Sequence, residues 1–149
     1  LNYHSGYIIS KNRTAGGNRV YCQITKSIRV SVKTTFLEKQ SLPRESYFVW
    51  AYQIKIENLG NAKVQLLNRK WSITDADGQT QIVKGPGVVG EQPVIQPGGS
   101  FEYTSGTPLK TPSGLMVGVY KMADSQGIEF NVNVPAFSLD SPHQTVKLN

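Results

Sequence analysis

The sequence predicts an all-β protein: an antiparallel β-sandwich of about seven to eight short strands. Three observations carry that prediction. Apolar residues recur with a period of two in one segment after another, as in Ile28, Val30, Val32, Thr34 and Phe36 set against Arg29, Ser31, Lys33 and Thr35. Clusters of Gly, Pro, Asn and Asp separate those segments at hairpin spacing. No apolar period of the helical kind persists beyond about one turn. With 149 residues the chain has the size of one ordinary domain. A two-sheet sandwich is the simplest architecture for such a series, and a small closed barrel is the runner-up.

Residues 1–22 show no period; Arg13 to Arg19, with Gly16 and Gly17 between them, reads as a polar, mobile basic arm. The domain proper is expected over 23–140 and a polar tail over 141–149. After the strand around Ile28–Phe36, Leu42-Pro43-Arg44-Glu45 interrupts the pattern. Phe48, Trp50, Tyr52, Ile54 and Ile56 then share one face, which marks the central strand, since burying five such side chains contributes about 1.5–3 kcal/mol each. Asn58 to Ala62 is a turn cluster. Val64 and Leu66 share a phase that Leu67, Arg69, Trp71 and Ile73 reverse, so a β-bulge is expected near Leu66-Leu67. Asp75-Ala76-Asp77-Gly78 is a hairpin turn returning through Gln79–Lys84. Phe101 and Tyr103 alternate with Glu102 and Thr104 in a further strand, and Thr107-Pro108 and Thr111-Pro112 separate it from the next. Residues 115–122 are apolar on both faces and read as a covered central strand. Ile128, Phe130, Val132 and Val134 form the last strand, ended by Pro135.

Charge is distributed unevenly. Of sixteen Lys and Arg, six precede Glu38, which is the first of ten acids, so the formal excess of +6 belongs to the N-terminal span and the first strand. A basic arm argues for nucleic acid much less than a basic folded surface would, so nucleic acid is not the expected partner. No apolar run reaches the roughly 20 residues needed to cross a bilayer, and the opening residues lack a basic region followed by an apolar one, so neither membrane insertion nor a secretory signal is expected. The lone Cys22 allows no internal disulfide and favours a reducing, cytoplasmic setting.

Catalytic chemistry finds little to stand on. The two histidines, His4 and His143, lie in opposite terminal segments, where a base is not held within hydrogen-bond reach of a nucleophile. Cys22 reads as a small, partly buried thiol. Two scattered histidines and one cysteine make no zinc site. Asp75-x-Asp77-Gly78 has Lys84 where a calcium loop needs its acid, so no metal site and no cofactor are expected. The conspicuous motif is Gly85-Pro86-Gly87-Val88-Val89-Gly90, which has the G-x-G-x-x-G spacing of dinucleotide folds. Such a motif should open a helix, whereas here Glu91-Gln92-Pro93 follows with no helical period, and Pro86 removes a backbone N–H. Two readings of this loop remain. It can form an anion nest for a nucleotide, dinucleoside polyphosphate or pyrophosphate, with Lys84 and Lys70 or Arg69 supplying charge. It can instead be a shaped inter-strand loop whose Val88 and Val89, if exposed, contact another protein. The candidate ligand or partner residues are thus Lys84, Gly85, Gly87, Val88, Val89, Gly90 and Glu91.

Several stretches are family-specific: Trp71 to Asp75, Val83 to Pro93, Pro97-Gly98-Gly99 through Ser105, Gly114 to Tyr120, and Val134 to Leu139. Together they closely resemble the bacterial ApaG family over roughly residues 26–140. The resemblance implies a fibronectin type III-like sandwich of immunoglobulin-like topology and a cytoplasmic protein without an established catalytic activity. It also implies a family encoded beside a diadenosine tetraphosphate hydrolase and linked genetically to cobalt resistance and magnesium efflux. Similar domains serve as interaction modules in eukaryotic F-box proteins and in a protein that binds a DNA polymerase subunit. A non-enzymatic protein-binding domain is therefore the expected function, and nucleotide or pyrophosphate binding at the glycine loop is the alternative. An arm pairing with an exposed sheet edge would give a homodimer.

Overall fold

The computed structural model describes the backbone of residues 12–14 and 18–144 and the side chains of 19–144. Ten strands appear in these residues: β1 (Asn12–Thr14), β2 (Asn18–Thr25), β3 (Ile28–Phe36), β4 (Phe48–Asn58), β5 (Val64–Asp75), β6 (Thr80–Pro86), β7 (Val94–Ile95), β8 (Ser100–Leu109), β9 (Ser113–Ala123) and β10 (Glu129–Asp140). Two single 3-10 turns, Glu38–Gln40 and Pro43–Glu45, fill the link between β3 and β4. One sheet runs in the order β1-β2-β3-β4-β8 and the other β10-β9-β5-β6, with β7 pairing β5 beyond the end of β6. All pairings are antiparallel.

Period-two alternation aims one face of each sheet at the other. On the first sheet, register aligns Tyr21, Val32, Ile54 and Tyr103 in one inward row, and Gln23, Val30, Ile56 and Phe101 in the next. Leu66, Trp71, Met116, Tyr120, Phe137 and Leu139 face them from the second sheet, all nearly or fully buried. Trp71 touches Tyr52, Tyr120 and Phe137 with ring centroids 5.5–6.3 Å apart in edge-on geometry, an arrangement favoured by the ring quadrupole. Close approach of Trp71 to β9 requires Gly118 opposite it, because a methyl there would overlap the indole. Trp50 Nε1 donates to the Asp140 carbonyl at 3.1 Å, tying β4 to the end of β10. The phenols of Tyr103 and Tyr120 meet at 2.5 Å inside the core, and burial pushes both up from the ordinary tyrosine range. Asn58 is buried and pins three segments: its Nδ2 donates to the Ala62 and Ile95 carbonyls, and its Oδ1 accepts from Gly60 N–H.

Most sequence expectations match the two-sheet architecture. β4 is a central strand, a register shift falls between Leu66 and Asn68, and the Asp75–Gly78 hairpin joins β5 to β6 with Gly78 at φ 82°. Other boundaries differ. The first sheet already includes β1 and most of β2 inside the span read as an arm; Tyr21 points inward there, and the buried polar Gln23 just beyond it conceals the alternation. Residues 1–11 and 15–17 of that span lie outside the described residues. Pro108 sits within β8, a strand with one open edge, where a missing N–H is tolerated. Pro135 does not end β10, because the ladder shifts between Val134 and Phe137 and accommodates it as a bulge before continuing to Asp140. β9 is central in its sheet, yet among the described residues nothing covers its outer face: Leu115 and Val117 are 43% and 42% exposed.

Candidate functional site

The glycine loop is built by main-chain bonds. Gly87 N–H donates to the Leu67 carbonyl at the β5 bulge, and Val88 and Glu91 exchange N–H···O bonds of 2.8 and 2.9 Å. Val89 and Gly90 between them have φ 45° and 79°, so the turn is of the type I′ hairpin class. Arg69 lies against Gly85 and donates from Nη1 to the Pro86 and Gly87 carbonyls, both at 2.9 Å. Gln92 Nε2 reaches the Leu67 carbonyl, and Gln65 Nε2 reaches that of Gln92. The loop is therefore braced on β5.

This geometry sorts the residues singled out in the sequence. Val88 is fully buried with the core, which takes it out of any contact surface; Val89, its neighbour, is 54% exposed at the turn tip. The N–H groups of Gly87, Val88 and Glu91 are taken up by carbonyls, and Pro86 has none. Of the loop beyond β6, this leaves Val89, Gly90 and Gln92 as the N–H groups without a backbone acceptor among the described residues. Arg69 directs donors at loop carbonyls and serves as a brace. Glu91 is exposed and contributes its backbone to the turn. Lys84 points to the solvent side of the second sheet, directly opposite Lys70 on β5.

That solvent face is the part sequence reading did not assemble. Successive rows follow from register: Asn131, Lys121 and Asn68; then Val119, Lys70 and Lys84; then Val117, Ser72 and Ile82; then Leu115, Thr74 and Thr80. The first two rows line a shallow depression of about 540 Å³ that reaches the loop at Gly85 and Pro86. The next two carry exposed apolar groups, with Ile82 at 51%. The signal in the sequence was the run Leu115, Val117 and Val119 on the second face of β9.

Groups with acid–base chemistry are engaged elsewhere. His143, expected on an untethered tail, is held: its Nε2 lies 3.0 Å from the Glu38 carboxylate and its ring stands against Phe36 and Phe48. His4 lies outside the described residues. Asp75 and Asp124 each accept two turn N–H groups, and so act as turn-forming carboxylates. Glu57 receives a two-pronged bond from Arg29, 2.6 Å from Nε and 2.9 Å from Nη2, and the guanidinium holds its carboxyl below the usual range. Cys22 is a half-buried free thiol. Among the described residues no three His, Cys, Asp or Glu side chains group as metal ligands would, and no helix is long and apolar enough to cross a membrane.

Comparison with known proteins gives a consistent result. The family model described as ApaG domain matches residues 38–124. Protein ApaG of Paramagnetospirillum magneticum is 58% identical over 130 residues, covering 87% of this chain and 100% of the relative. Protein ApaG of Rhodospirillum centenum is 60% identical over 124 residues, covering 83% and 95%. The crystal structure of a Bordetella pertussis protein described as ApaA superposes with TM-score 0.76 at 43% identity, covering 78% of this chain and 95% of that one. On sequence and fold together, the chain belongs to the ApaG family.

Proposed function

We propose that this protein is a non-enzymatic binding module, and that its contact surface for a protein partner is the solvent face of the second sheet. The observation that carries this reading is the apolar strip at the middle of that face: Leu115 and Val117 on the central strand β9, with Ile82 across the sheet on β6, each more than 40% exposed. Leu115 and Val117 are same-face neighbours on β9, and only the small Ser72 separates Val117 from Ile82; apolar groups set close together among polar residues are the usual composition of a contact surface, whereas single scattered ones need no explanation. The engagement of His143, Asp75, Asp124 and Glu57 in structural bonds supports a binding role over a catalytic one. The single cysteine supports work in the cytoplasm.

The test is a photo-crosslinking amino acid placed at position 117 and, as a control, at position 31 on the outer face of the first sheet, in cells that make the protein. One protein adduct should form from position 117 and not from 31, and Leu115→Asp should abolish it. Equal adducts from both positions, or none from 117, would exclude this face.

A further inference from the structure

From the charge and spacing of that same face we infer the chemistry of its partner: an extended acidic segment that carries apolar residues in register with its acids. The inference rests on the reading of this face as the contact surface. Its first support is an uncompensated charge. Lys70 and Lys84 are directly opposed across β5 and β6, and like charges so placed destabilise a sheet. Among the described residues neither has a carboxylate within 4.0 Å, and Lys121, one row away, has only Glu129 at 3.8 Å. The first sheet handles its outer charges differently. There Arg29 and Lys55 are each within ion-pair range of Glu57, and Lys55 also of Glu102. Lys33 on that sheet is also unpaired among the described residues, but it does not oppose a second lysine, so the directly opposed Lys70–Lys84 pair is the charge on the two faces that most needs a carboxylate from outside.

The second support is spacing. The four rows succeed one another every two residues along the strands, about 7 Å apart, which is also the repeat of side chains on one side of an extended chain. A segment lying along the strand direction therefore sets acids at i and i+2 over Lys121 and the Lys70–Lys84 pair. The same segment sets apolar residues at i+4 and i+6 over Val117 with Ile82 and over Leu115. A bare polyanion would satisfy the lysines and leave the apolar rows wet, so the bipartite face favours a peptide over a nucleic acid.

The probe is a labelled peptide containing Glu-Ser-Glu-Ser-Val-Ser-Val, titrated into the full-length protein with amide shifts and fluorescence polarisation as readouts. The expected result is saturable binding that shifts the amides of Lys70, Lys84, Val117 and Val119. Lys84→Glu and Val117→Asp should each weaken it by about fivefold or more, and added salt should weaken it further. The Lys70→Glu, Lys84→Glu double variant should instead prefer the Lys-Ser-Lys-Ser-Val-Ser-Val peptide. All these side chains face solvent, and dispersed amide spectra will verify that the variants fold. Absence of shifts at millimolar peptide, shifts mapped to another surface, or tighter binding of an oligonucleotide of equal charge would overturn the inference. The crosslinked adduct separates the two claims. If Leu115→Asp abolishes it and Lys84→Glu does not, the acidic segment is wrong and the contact face stands. If neither matters, both fail.

Discussion

Val89 adopts φ 45°, a left-handed conformation that crowds a β-branched side chain, and it does so at a turn tip where its side chain is more than half exposed. The constraint comes from its surroundings. Val88 is buried in the core on one side, Gly87 N–H is fixed to Leu67 on the other, and the Val88–Glu91 bond pair closes a turn that needs positive φ at both central positions. Asparagine tolerates that conformation because its short side chain bonds locally. Val89→Asn should therefore raise the urea midpoint with an unchanged slope, a gain of about 0.5–1 kcal/mol, given a left-handed cost of about 1–2 kcal/mol for ordinary residues. A lower midpoint would mean that the exposed valine contributes contacts the fold requires. The same turn shows what sequence could not resolve. Two adjacent valines are indistinguishable by composition, and only the turn geometry sends one into the core and the other into water.

At the level of strands, legibility follows how far each one keeps a single oily face. β4 alternates cleanly, from Phe48 to Ile56, and could be placed as central from that pattern alone. β2 could not, because Gln23 occupies an inward position at 2% exposure. β9 is hard to read for a different reason: a face buried by another layer and a face kept apolar for contact look alike in sequence, and only the sheet order and the burial show that nothing among the described residues covers Leu115 and Val117. Lys84 and Lys70 were legible as charges near the loop, but their opposition across β5 and β6 required the register. The first sheet's outer face makes its own prediction through Arg29 and Glu57, paired across β3 and β4. The guanidinium bond lowers the Glu57 carboxyl in the folded state. A lowered carboxyl contributes stability above its unfolded pKa and loses it as pH falls through the folded value. Glu57→Gln should thus cost about 0.5–1 kcal/mol at neutral pH, a value discounted for the partial exposure of Arg29, and the gap between variant and wild type should close on acidification. A gap that stays constant with pH would show that the pair acts through shape and not charge.

The molecule as a whole folds only if both sheets can close over each other, and this sets the smallest unit that is stable. The family model matches residues 38–124, a span that omits β2, β3 and β10. Those strands supply Ile28, Val30, Val32, Val132, Val134, Phe137 and Leu139, each at most 2% exposed. Tyr21 adds its ring against Phe137 at 6.2 Å, and its hydroxyl accepts the Ser138 N–H. Removing them strips Ile54 and Ile56 of their β3 neighbours and bares Met116 and Met122 on β9. Seven buried side chains at about 1.5–3 kcal/mol each come to about 10–21 kcal/mol, as much as or more than the roughly 5–15 kcal/mol by which an entire domain is stable. A fragment of residues 38–124 should therefore show collapsed amide dispersion and no cooperative thermal transition. A fragment of residues 18–144 should keep both, because every strand that pairs in the two sheets, β1 apart, lies inside it. A cooperative transition in the shorter fragment would mean that β4, β5, β8 and β9 close a core without their outer neighbours, and that the sandwich is assembled around a smaller nucleus than its packing implies.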